Sequence, residues 1–561
     1  MLQAQIDLLP AAERLALQQA AVLGSVFFDR ALAALDGQAL NHLPALARRG
    51  LLQARERGAP GDPAAYGFAH AFLQQVAYAR LLRHDRQALH ARAARWYAAL
   101  DTARAVDYLA EAADHFDRAA EPLDAARFNL LAAENLAQRF AHDAVVERAS
   151  LGLGQAADDD TGTPWKLLML RQRALRLSGQ RDAQALDLDT MATLAERTAD
   201  PVHLATVALR RTVAASETGH PQDAAALAPK AMAAALRAGP ATAERAGDVP
   251  FELAVFGAWC GALRACGQHD EARQVGEQGL ARARALGQRG PESELLVSLA
   301  AIAAEQADST GSATLLRQAL HIQQLLGNRA GECVSRINLG VTALQQGELV
   351  TAEADFDAAQ RLARQIGNPT FEVSTLLNRA SARLPLGRVD EAHDDAQAAV
   401  ALAQKIGNPE YEAFALMAQG AALLARNQRP QARAAFAGSR LLLDGLGLGH
   451  LSIEAVAWLA REAQQSGDLA AALAHAETVL AHLASHGKLE GTEDPLLIRW
   501  TCCEVLEAAA DPRATGLLAD TWAALQQRHS ALATAEARER FLQAQAHHRA
   551  IHDRAARAGL V

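Results

Sequence analysis

Apolar residues along this chain come in short alanine- and leucine-rich clusters broken by polar positions, and no run of them reaches 18. The longest cluster, LAVFGAWCGAL at 253–263, is too short for a bilayer, which takes about 20 apolar residues. ERLALQQAAVLG (13–24) reads as an amphipathic helix stopped by Gly24. The stops are as regular as the helices. RQIGNPTFE at 364–372 returns as QKIGNPEYE at 404–412, and steps of forty from Gly367 land on Gly247, Gly287, Gly327, Gly407, Gly447 and Gly487. A second series lies half a period away at Gly267, Gly347, Gly387 and Gly467, with Ala307 and Asn427 in the remaining slots. Helices commonly end in a left-handed residue, which glycine adopts without a Cβ penalty and asparagine tolerates. Two series per period therefore predict a hairpin of two helices, each of about 14–18 residues once short turns are subtracted. Pro369 and Pro409 follow a stop and begin the next helix.

Inside one unit, INLGVTALQQGELVTAEADFDAAQRLARQ (337–365), the positions Leu339, Gly340, Gly347, Ala352, Phe356 and Ala359 place small residues where two helices cross and a large one in the gap. The pattern resembles the tetratricopeptide signature, with the unit lengthened from the usual ~34 residues. LGRVDEAHDDAQAAVALAQ (386–404), RNQRPQARAAF (426–436) and SGDLAAALAHAETVL (466–480) repeat it in part. The expected fold is an all-α, tetratricopeptide-like, right-handed superhelical solenoid of helix hairpins repeating every forty residues, regular over 241–490. Residues 101–240 read as hairpins that lose the strict register, with turns at DDDTGTP (158–164) and RAGPATAERAGDVP (237–250), and 491–561 as capping helices.

The first hundred residues leave the repeat. Helices at 13–24 and 40–52, a Gly/Pro-rich turn within 53–68 and a helix from Ala69 outline a small winged-helix domain. FAHAFLQQVAYARLLRHDRQALHARAARWYAAL (68–100), with AVLGSVFFDRALAAL (21–35) and LARRGLL (46–52), resembles the winged-helix module of STAND-type signalling ATPases, above all the bacterial group linked to adenylate cyclase domains or LuxR-type factors. EARERFLQAQAHHRAIHDRA (536–555) resembles the tail that closes the repeats in those proteins. The resemblance implies a regulatory protein whose repeats bind a protein or inducer and whose winged helix couples to a P-loop ATPase. No GxxxxGK[ST] occurs here; HGKLEG around Gly487 lacks the earlier glycine. The ATPase is therefore expected as a separate partner, or as the missing part of a longer protein. The resemblance also makes His70 a candidate nucleotide sensor, although Ala71 stands where the family's Met-His-Asp motif has aspartate.

Charge and composition narrow the alternatives. A net charge of −9 over 561 residues asks for neither nucleic acid nor membrane. Residues 1–100 hold eleven Arg against seven Asp/Glu, and Arg48 and Arg49, with Arg55 and Arg57, are the candidate DNA contacts. A DNA reader concentrates more basic charge than this, so a protein-packing role is favoured. Five cysteines without a CxxC predict reduced thiols and a cytoplasmic protein, with Cys260, Cys266 and Cys333 filling core gaps. The pair Cys502–Cys503 has nothing electropositive beside it to activate a thiolate. His475, His482 and His486, and His548 with His552, lack the further ligands of a zinc site and read as solvent-facing. No catalytic set, cofactor or metal is expected. Asn338, Asn378 and Arg379, on first helices of the repeats, are the candidate groove-lining residues for a protein or peptide ligand. A free-standing scaffold and a DNA-binding regulator are the competing readings.

Overall fold

The computed structural model describes residues 2–55, 64–100, 108–139, 141–239, 250–486, 489, 491–532 and 534–561. The chain divides into two units, residues 1–214 and 215–561.

The first unit opens with helices Leu2–Asp7 and Ala11–Leu23, strand β1 (Val26–Phe28), helix Asp29–Leu35, a 3-10 turn at Gly37–His42 and helix Leu43–Arg48. Strands β2 (Leu52–Ala54) and β3 (Ala65–Phe68) follow, and the sheet order is β1-β3-β2, antiparallel throughout. Period-two alternation sends Phe27 inward, where it meets the Tyr66 and Phe68 rings over a core of Leu17, Leu32, Leu46 and Leu73. Helices Ala71–Ala79 and Arg83–Ala98 complete this part, and Leu109–Arg118 and Pro122–Gln138 begin the hairpins.

Between them lies a buried hydrogen-bonded chain. The Tyr78 hydroxyl meets His90 Nε2 at 2.8 Å, and His90 Nδ1 meets His115 Nδ1 at 2.8 Å. Burial pushes His90 down to about 3, helped by His115 next to it, and His115 down to about 4. Both imidazoles stay neutral in the fold while their unfolded counterparts protonate near pH 6.5. Lowered folded values mean that this stability is present above about pH 6.5 and lost as pH falls, by about 1.4 kcal/mol per unit for each ring before solvent screening. The urea midpoint should therefore drop between pH 7 and 5 more steeply than in His90→Phe/His115→Leu; equal slopes would reject this account.

In the second unit six hairpins run from Phe251–Ala265 with His269–Ala285 to Gly449–Gln465 with Leu469–His486. Every described position of both stop series is left-handed, from Gly267 (φ +74°) to Gly467 (+82°), including Ala307 (+62°) and Asn427 (+61°). Gly247 and Gly487 lie outside the described residues, as do half of HGKLEG and most of 237–250. The repeated Gly-Asn-Pro has a three-part explanation. Gly367 and Gly407 end one helix, the Asn368 and Asn408 side chains accept the backbone N–H of Phe371 and Tyr411, and the proline takes the first turn.

Over the second half of 101–240 the register of the array is lost but a local one is present: helix ends at Gly179, Ala199, Gly219 and Gly239 are all left-handed and spaced by twenty. The series is displaced, since Gly239 stands eight residues before Gly247, and an alanine at 199 hides it.

Hairpin crossings are size-matched. A Cβ on Gly340 would stand 2.5 Å from the Phe356 ring, and one on Gly420 equally close to Phe436. The equivalent pairs are Cys260/Gly276, Ala300/Leu316, Ala380/Ala396 and Ala460/Ala476, all buried. Helices Pro495–Ala508, Arg513–Ser530, Ala535–Ala544 and Ala546–Arg557 close the chain.

Candidate interaction site

First helices of successive hairpins pack on each other as well as on their second helices, leaving one free inner face. The forty-residue register compares that face along the array. Ala301, Val341 and Ser381 are half-buried but Ala421 is buried; Ala304, Leu344 and Leu384 are half-buried but Leu424 is buried. On the next first helix, Gly449–Gln465, six consecutive residues from Ser452 to Ala457 are buried, more than one full turn, so it is covered on every side. Part of that cover is the chain itself. The Glu493 backbone N–H donates to Glu454 Oε2 at 2.8 Å, and Gly491 packs against Leu451. Glu454 is 5% exposed, and burial with the nearby Glu493 holds its carboxyl well above the usual range. His547 pairs with Asp494 at 3.0 Å. The open stretch of inner face therefore lies on the first helices between Phe251 and Arg383, with Ser381 at its covered edge, where its hydroxyl donates to Glu493 Oε2 at 3.5 Å.

Asn338 and Asn378 sit half-buried at equivalent positions on two of those helices, and Asn378 Nδ2 donates to the Ser374 carbonyl at 2.8 Å. Arg379 is a correction. Its guanidinium donates twice to Asp395, at 2.8 and 2.6 Å, and once to Asp357 at 2.6 Å. Both carboxylates belong to second helices, so the side chain turns away from the groove. Arg383 joins Asp395 and Glu353, each at 2.7 Å, and Arg388 also reaches Glu353. The sequence reading missed this network because its members lie 12 to 35 residues apart on three helices and one turn.

His70 occupies the N-cap position of helix Ala71–Ala79, is exposed, and makes no capping bond. The imidazole therefore does not cap the helix that it precedes. Arg48 is exposed; Arg49 is paired with Glu13 at 2.9 Å; the Arg55 guanidinium lies over Gly67; Arg57 is outside the described residues. His548 is not solvent-facing but buried, with Nδ1 3.0 Å from the Phe541 carbonyl, and His552 is half-buried with its ring edge-on to Trp522. The His486 side chain is outside the described residues. Among the described residues no group of three or more His, Cys, Asp or Glu is placed to hold a metal. Cys260 and Cys333 are buried, Cys266 is half-buried at a helix end, and burial pushes Cys502 and Cys503 up to about 12, which leaves them inert. No described helix is long and apolar enough to cross a membrane.

These stops, hairpins and matched crossings define a tetratricopeptide-like helical-repeat solenoid. No protein-family model matches the chain, and no curated protein does. Among solved structures it is similar to a Signal Transduction ATPase with Numerous Domains protein with a tetratricopeptide repeat sensor from Pyrococcus horikoshii, at 12% identity and a TM-score of 0.46. That alignment covers 79% of this chain and only 65% of the other's length. It is also similar to the apo quorum sensor NprR from B. thuringiensis (12% identity, 65% of this chain and 99% of that one, TM-score 0.44). Apo RapI is a third neighbour (10%, 71% and 99%, TM-score 0.44). At these identities and scores the likeness extends to helical-repeat architecture alone.

Proposed function

We propose that this chain is a non-catalytic sensor and regulator: the inner face of the repeats binds a protein or peptide, and residues 1–100 form a winged-helix domain that couples binding to a P-loop ATPase. The order β1-β3-β2, with helices before and between the strands, supports the winged-helix reading. The observation that carries the coupling is His70, exposed and unused as a cap, beside Phe72 with 67% of its surface exposed. A sensor histidine needs a free imidazole at an interface, and an exposed phenylalanine next to it is the apolar contact such an interface takes. A photo-crosslinking residue at Phe72 in the native host should capture a P-loop ATPase, with a yield that depends on ADP and falls in His70→Ala. Capture of no ATPase with or without nucleotide would leave the free-standing scaffold. The pairing of Arg49 with Glu13 weighs against DNA reading; the full chain should show no salt-dependent DNA binding that Arg48→Ala/Arg49→Ala removes.

A further inference from the structure

The stop glycines of the array serve as controls for one another. A Cβ at Gly267, Gly287, Gly327, Gly367, Gly387, Gly407, Gly447 or Gly467 would meet nothing within 4 Å. At Gly347 it would stand 2.9 Å from Ala544 Cβ and 3.1 Å from the Arg540 carbonyl oxygen and Phe541 Cα. The helix Ala535–Ala544 has come back across the unit and laid its backbone on this one turn. Beside it Arg540 pairs with Glu348 at 2.6 Å, a contact spanning 192 residues of sequence.

That helix is held lightly elsewhere. Of its ten residues only Phe541 is buried, in the cluster of Leu496, Trp500, Leu518, Trp522 and Ile551. Ten residues is too short for a helix to persist alone, and the Arg540–Glu348 pair is solvent-exposed and so weak. An element with little buried surface and exposed polar contacts is the first to open. It also bridges two parts of the unit: Phe541 belongs to the C-terminal helices, while Gly347 turns the third of the six hairpins.

We propose that helix Ala535–Ala544 is a detachable strap that fastens the C-terminal helices to the Gly347–Glu348 turn, keeping the chain around Glu493 over the inner face of the last hairpins, and that its release extends the open stretch of that face for a protein ligand. The ligand clause rests on the groove-binding reading; the strap does not, and its test needs neither partner nor nucleotide.

The test uses matched variants of the full chain. Gly347→Asn and Gly387→Asn carry the same backbone demand, φ +76° and +77°, which Asn427 already meets at an equivalent turn. Amide hydrogen exchange across 535–544 should quicken about tenfold or more in Gly347→Asn, the effect of losing about 1.4 kcal/mol of closure, and stay unchanged in Gly387→Asn. Arg540→Glu should quicken it too, and Arg540→Glu/Glu348→Arg should restore it, which keeps the proposal testable if Gly347→Asn does not fold. The radius of gyration from X-ray scattering should rise in the opened variants and return in the charge-swapped pair. Unchanged exchange and radius in natively folded Gly347→Asn and Arg540→Glu would overturn the strap. A strap that opens as described while photo-crosslinking at Phe72 finds no ATPase would leave the strap standing and the coupling rejected.

Discussion

Phe356→Ala is expected to destabilise the third hairpin by about 3–5 kcal/mol, the usual cost of emptying a fully buried aromatic site. The ring is 0% exposed and fills the space that Gly340 leaves at the crossing of helices Arg329–Gln345 and Leu349–Ile366. The converse change, Gly340→Ala, drives a methyl to within 2.5 Å of that ring and is expected to cost about 1–3 kcal/mol through overpacking. Together the two changes reproduce Ala380/Ala396 and Ala460/Ala476, so the double variant should be more stable than the sum of the single losses by at least about 1 kcal/mol. Because repeats need not unfold as one body, hydrogen exchange of these two helices is the measurement. Strict additivity would mean that the crossing is not a matched pair.

Asp395→Ala should cost about 3–5 kcal/mol in the same assay on the fourth hairpin, because it leaves two nearly buried guanidinium groups short of a partner. Asp395 is 6% exposed and takes three donations, two from Arg379 and one from Arg383. Replacing the cluster together, as Arg379→Met/Arg383→Leu/Asp395→Leu, should be far milder than Asp395→Ala alone, since desolvating paired charges offsets most of their attraction. If the triple variant is the worse of the two, the network stabilises more than apolar packing would, and Arg379 gains a role that its geometry does not suggest.

Both predictions rest on side chains whose significance was unequally visible beforehand. Gly340 and Phe356 are sixteen residues apart within one hairpin, and their sizes are readable because the hairpin repeats. Arg379 looked like a groove residue because its helix is a first helix; nothing in the local sequence says which way a long side chain turns. Ala199 shows the limit of reading stops from glycine. The backbone there is left-handed at φ +50° with the wrong residue type, so the upstream register escaped a count of glycines. Asn368 and Asn408 show the opposite: two short-range hydrogen bonds account for a repeated word.

By itself, the sequence determined where helices stop, how long they are and that they come in hairpins. Those features depend on left-handed glycines, asparagine caps and prolines, which act within a few residues of their own position. Tertiary structure alone decided which part of the inner face stays open, where Arg379 points and which stop glycine carries a second duty. Gly347 and Gly387 are indistinguishable as letters and nearly identical in φ, yet only one bears a helix from almost two hundred residues away. A contact across that distance leaves no periodic trace, because neither partner's neighbours need to change for it to form.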